Sequence, residues 1–223
     1  RPYNQVITDR ARTEHGGVTV HRVDERYYFE IPDSLLNRDI LLVSRVAAVP
    51  TGFGGFEFAG DEVARRVVRW EKVNDRLNLR SISFAAVADD SLPISISVRN
   101  NNYSPILGAF PVQAYTRDST SAVIDVTEFF GGDTPGISGL SPQQRQQYQV
   151  RRLDPARSYV SSVRAFPINV EVRQVQTFEA GQSPSDRAAN TISLEARQSM
   201  ILLPRTPMRP RVLRLPHLLE SDR

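Results

Sequence analysis

Few residues in this chain have the type and spacing that chemistry requires. Its three histidines come first. His15 and His21 are six positions apart and share no helix face, His217 stands in a proline-rich stretch, and no His-Glu-x-x-His occurs, so the short zinc-protease site is absent. Surface positions are expected for all three. The chain has no cysteine, which removes disulfides, thiolate-bound zinc and thiol catalysis. "GISGLS" (136–141) departs from the Gly-x-Ser-x-Gly order of a nucleophile elbow, and no histidine is placed beside Ser138. "GFGGFEFAG" (52–60) is rich in glycine but matches neither a dinucleotide fingerprint nor a phosphate loop.

Carboxylates recur as Asp61 with Glu62, Asp89 with Asp90, and Asp125 with Glu128. A hydrolase built on them would need two acids converging in one pocket. Solvated loop or capping roles are the expectation, and Asp125 is the most interesting because "VIDVTEFF" surrounds it with apolar residues, so it needs partners. Phe53, Phe56 and Phe58 either tuck against a core or form an aromatic lip, and with Tyr103 they are candidate contacts to a partner or substrate. Arg205, Arg209 and Arg211 are further candidates. The arginines are scattered among acids and prolines and form no stripe, so no nucleic-acid partner is expected.

The elements that must position these residues are mainly strands. Tyr27, Phe29 and Ile31, then Ile94, Ile96 and Val98, then Ile168, Val170 and Val172 alternate with polar neighbours, as half-buried strands do. "TISLEARQSMIL" (191–202) places Ile192, Leu194, Ala196, Met200 and Leu202 on one face, interrupted by Gln198. Hairpin turns are expected at Asn74–Asp75 and around Asp24–Glu25. Ser141 and Pro142 open one predicted helix in "SPQQRQQYQ". Asp154 and Pro155 open a better one, with Tyr159, Val163 and Phe166 on one face. "IPDSLLNRD" suggests a short helical turn, while 51–61, 100–105, 131–142 and 179–190 read as loops, the last a mobile surface loop. The fold class is mainly β: an antiparallel two-layer sheet or sandwich with one or two short helices.

At 223 residues and 40% hydrophobic content the chain is long enough for a substantial core. No apolar run is long enough to cross a membrane as a helix. The net charge is only +3, and Lys72 is the single lysine among 28 basic residues. Residues 1–203 are read as one β-rich domain and 204–223 as a Pro/Arg-rich connector, whose prolines favour an extended path.

Six phrases extend the reading: "YYFEIPDSLLNRDILLVSRV", "AGDEVARRVVRWEK", "PILGAFPVQAY", "SAVIDVTEFFGGD", "RSYVSSVRAFPINVEVRQVQTF" and "SMILLPRTPMRPR". In this order they resemble the non-catalytic region, a domain of unknown function, that precedes the metzincin-like protease domain of large bacterial zinc-dependent metalloproteases. The resemblance covers roughly residues 2 to 212 and implies an exported accessory domain, periplasmic or extracellular after signal-peptide removal. Its implied partner is the protease domain of the same polypeptide, with an extended peptide substrate as a further one. This chain carries no zinc motif, so no catalytic, metal or cofactor residue is assigned in it; zinc is expected only in the downstream domain. The rival reading is a stand-alone β-sandwich that binds peptide or glycan.

Overall fold

The computed structural model describes residues 1–53, 59–84, 102–184 and 189–206. Alternating apolar residues produce twelve strands among them. These are β1 (Arg12–Glu14), β2 (Thr19–Val23), β3 (Arg26–Pro32), β4 (Ile40–Ala48), β5 (Glu62–Val73), β6 (Arg76–Ile82), β7 (Ile106–Tyr115), β8 (Ser121–Asp125), β9 (Val150–Leu153), β10 (Tyr159–Ala165), β11 (Asn169–Ala180) and β12 (Thr191–Leu202). Three short helices accompany them: α1 (Tyr3–Val6), α2 (Thr127–Gly131) and α3 (Pro142–Gln147). The strands form one antiparallel sheet in the order β1-β2-β3-β8-β7-β6-β5-β4-β12-β11-β10, with β9 also paired to β11.

This sheet curls until its two ends meet. The Ala165 N–H on β10 donates to the Glu14 carboxylate of β1 at 3.1 Å, and the Gly17 N–H donates to the Phe166 carbonyl at 3.0 Å. The approach requires glycine: a Cβ at Gly16 would lie 2.5 Å from the Phe166 oxygen, and one at Gly17 2.6 Å from that of Pro167. Opposite walls therefore share one core, in which Phe29 and Ile31 of β3 join Trp70, Leu79, Val172 and Met200 from the far side. Burying each such side chain stabilises the fold by roughly 1.5–3 kcal/mol. The mainly β, antiparallel expectation holds, and the two layers are the walls of a single sheet.

Local signals account for the turns. Asp24 and Asn74 adopt the left-handed region at φ 55° and 53°, which their short polar side chains tolerate, and each closes its predicted hairpin. Ser141 caps α3 through a reciprocal pair with Gln144, with Pro142 in the first turn, and Asp33–Leu35 form the expected helical turn.

Elsewhere tertiary pairing overrode local reading. The helix expected after Asp154 is a 3-10 turn, Pro155–Arg157, followed by strand β10. Tyr159 and Val163, predicted on one helix face, fall on opposite sides of β10: a bulge between Val160 and Ser162 shifts the register, leaving Tyr159 exposed and Val163 buried, and pairing with β11 outweighs the local spacing. Ile168 lies in the β10–β11 turn, 62% exposed, rather than on a buried face. The 131–142 loop is folded onto the sheet, burying Ile137, Ser138 and Leu140. Three fully buried glutamines hold it there: Gln174 and Gln198 donate to the Ile137 carbonyl at 3.2 and 2.8 Å, and Gln176 accepts from the Gly139 N–H at 2.8 Å. Gln198 is thus no interruption of its strand face; a buried amide is tolerated because both its ends are bonded, the oxygen accepting from Ser44. The strand expected at 94–98 lies outside the described residues.

Candidate functional site

His21 departs most from expectation, being 3% exposed rather than on the surface. Its neighbours arrive through ladder register, since Thr13 faces it from β1 and Tyr28 from β3. The ring Nδ1 lies 2.8 Å from Thr13 Oγ1 and Nε2 3.1 Å from Glu30 Oε2, while the Tyr3 hydroxyl donates to the same Glu30 oxygen at 2.7 Å. The hydrogen bond with His21, followed by that from Tyr3, holds the Glu30 pKa below its ordinary value against the opposing effect of burial. Burial first, then the bond to Glu30, raises that of Tyr3. Thr13, His21 and Glu30 stand in the order hydroxyl, base, acid. Tyr3 nevertheless occupies the acid, and Thr13 lines none of the cavities described below, so the cluster acts as a clamp that fastens α1 to the sheet. His15 is exposed, and His217 lies outside the described residues.

The carboxylates fall in two places, Asp61 with Glu62 at one hollow and Asp125 with Glu128 and Asp133 at another. Asp125 accepts the Thr127 N–H at 3.0 Å where α2 begins and pairs with Arg26 at 3.1 Å, which is a structural role. It lines a hollow of about 650 Å³ with Glu128, Phe129 and Asp133, and Asp133 is itself held by Arg145. Asp61 is exposed beside a different hollow, with Glu62, Ser141 and Gln144. Asp89 and Asp90 lie outside the described residues. Among the described residues no group of three or more His, Asp or Glu side chains could hold a metal ion, and no helix is long and apolar enough to cross a membrane.

The aromatic candidates separate. Phe53 is a core residue, 3% exposed and stacked on Tyr148 with ring centroids 5.5 Å apart, so it forms no lip. Tyr103 is 79% exposed, and the Arg80 guanidinium lies 5.0 Å from its ring centre. Arg205 is exposed; Phe56, Phe58, Arg209 and Arg211 lie outside the described residues.

One surface combines exposure with an apolar lining, and single-sequence reading missed it. The β10–β11 turn, the 15–18 turn, the 33–39 connection and the end of β12 meet there. Leu202 N–H donates to the Ile168 carbonyl at 2.8 Å, Leu203 N–H to the Asp39 carbonyl at 2.9 Å, and Arg38 to the Leu203 carbonyl at 2.9 Å. Beside this tether Phe166 and Ile168 are exposed, and a crevice of about 30 Å³ is lined by Val18, Leu35, Trp70, Ile168 and Leu202. The Trp70 indole N–H is buried with no hydrogen-bond partner among the described residues. The signal available in the sequence was "FPI" (166–168), in which proline favours a turn and so removes its apolar neighbours from the strand faces.

Residues 60–214 match a family model described as a domain of unknown function (DUF5117), and residues 1–49 match a second, also a domain of unknown function (DUF5118). No curated protein and no solved structure matches the chain.

Proposed function

The chain belongs to the DUF5117 family, and from that premise we propose that it is the N-terminal accessory domain of an exported bacterial zinc-dependent metalloprotease. In this reading it supports or gates the protease domain and contributes no catalytic group. The observation that carries the reading is the tethered end of β12: Asp39 and Arg38 fix Leu203 beside exposed Phe166 and Ile168, so polypeptide leaving the sheet starts against an apolar surface. Exposed apolar patches of this kind favour protein partners. The resemblance carried by the six ordered phrases supports a protease domain as that partner, with residues 204–223 as the connector to it. Among the described residues most arginines on the sheet are paired with acids, such as Arg69 with Asp39 and Arg197 with Glu171, an arrangement better suited to a protein surface than to a phosphate track.

The rival binding module draws less support. Its aromatic platform loses Phe53 to the core, and Tyr103 is engaged by Arg80. The test is to mix this chain with the separately expressed protease domain. Binding with altered proteolysis is expected, weakened about tenfold or more by Ile168→Asp, as for a central interface anchor. Absence of both binding and any change in proteolysis would sink the proposal.

A further inference from the structure

We propose that Arg10, Arg12 and Arg22 form a binding site for a tetrahedral oxyanion, phosphate or sulfate, at the rim of the curled sheet. Arg12 and Arg22 are direct partners across the β1–β2 ladder, and with Asp24 and Arg10 they line a hollow of about 280 Å³. Like charges directly opposite each other destabilise a ladder. The same juxtaposition occurs elsewhere in this sheet, but there carboxylates lie beside the arginines; where Arg45 faces Arg197, Glu62 faces Arg45 from the next strand. Arg69 faces Arg80, and these are paired with Asp39 and Glu71; Arg173 faces Arg197, and these are paired with Glu195 and Glu171.

At Arg12 and Arg22 the compensation is missing. The one carboxylate lining the hollow, Asp24, is paired with Arg10 at 3.2 Å, and Arg22 Nε donates only to the Asp24 backbone carbonyl at 3.1 Å. Glu14, two residues along from Arg12, is turned to Arg164 and the Ala165 N–H. The Arg12 side chain has no hydrogen bond or ion pair among the described residues, although its backbone belongs to the β1–β2 ladder. Three guanidinium charges less one carboxylate leave a formal +2 around the hollow. Arg22 is braced over the Tyr27 ring, 5.5 Å from its centre, which orders the guanidinium before any ligand arrives. Guanidinium forks bind tetrahedral oxyanions through paired charge-assisted hydrogen bonds, and such an anion would remove the repulsion that the protein's own acids leave in place.

The test is calorimetric titration of the full chain with inorganic phosphate, inorganic sulfate and methyl phosphate, against chloride at matched ionic strength. Saturable one-to-one binding of phosphate or sulfate is expected, and tighter binding of methyl phosphate would identify an ester as the natural form. Arg12→Gln and Arg22→Gln should each weaken binding about tenfold, whereas Arg151→Gln, outside the cluster, should not. Both site variants should also melt at or above the wild-type temperature in anion-free buffer yet gain less than wild type from the same phosphate concentration, a pattern that a merely structural arginine would not give. Equal stabilisation by chloride, or equal binding by Arg12→Gln and wild type, would overturn the proposal.

Discussion

The clamp of Tyr3, Glu30, His21 and Thr13 makes stability depend on pH in two directions. Glu30 has a lowered pKa in the fold, so its contribution is present above the ordinary carboxylate range and is lost as pH falls through the folded value. Tyr3 has a raised pKa, so its contribution is present below the ordinary tyrosine range and is lost as pH rises toward the folded value. Glu30→Gln is expected to flatten the acid limb of stability and to cost about 1–3 kcal/mol at neutral pH. Tyr3→Phe should flatten the alkaline limb. Urea unfolding across the pH range checks both, and an acid limb unchanged in Glu30→Gln would contradict the assignment. None of this was readable at His21, whose neighbours Val20 and Arg22 fit a surface strand as well as a covered one. The cover comes from α1, which the sequence does not announce.

The segment over the glutamine row is the element whose behaviour is most open to test. A Cβ on Gly139 would lie 2.4 Å from Leu194 Cδ1 and 3.2 Å from the Ala196 Cβ. Gly139→Ala should therefore destabilise the protein by roughly 1–3 kcal/mol through overpacking. Gln198→Ala removes a donor to the Ile137 carbonyl and the acceptor for Ser44, and should cost a similar ~1–3 kcal/mol. Hydrogen exchange measures the local effect: amides of 132–141 should lose protection in Gln198→Ala more than those of the β2–β3 hairpin, and uniform loss would show that the segment is not held separately. Strand β12 itself was legible to its ends, because its alternation is local. The meaning of Gln198 was not, because the carbonyl that bonds it belongs to a segment 61 positions away. The helix expected over Tyr159–Ala165 gave way to strand β10 for a similar reason, since its pairing with β11 is not visible in local spacing.

Across the whole molecule, the two family matches interleave in one sheet. Strand β4 belongs to the 1–49 match yet lies between β5 and β12 of the 60–214 match, and β3 pairs with β8. Residues 60–214 expressed alone would lack a central strand and leave two long edges unpaired. That fragment should show no cooperative thermal transition, and adding the separate 1–49 segment should restore one. A sharp transition in the isolated fragment would show that β4 is dispensable.

The β class, the alternating faces of β12, the left-handed turns at Asp24 and Asn74 and the cap at Ser141 were legible in the amino-acid sequence. Each rests on residues within a few positions of one another, where backbone sterics and side-chain period act directly. Contacts between distant segments alone place Phe53 in the core, clamp His21, set Asp61 and Asp125 on separate hollows and leave Ile168 exposed. The tether beside Ile168 joins Arg38 to Leu203 across 165 positions, and the Arg12–Arg22 rung exists only through the β1–β2 register. Pairing between distant segments is set by how the whole sheet closes over its core, and that closure is written in no single stretch of the chain.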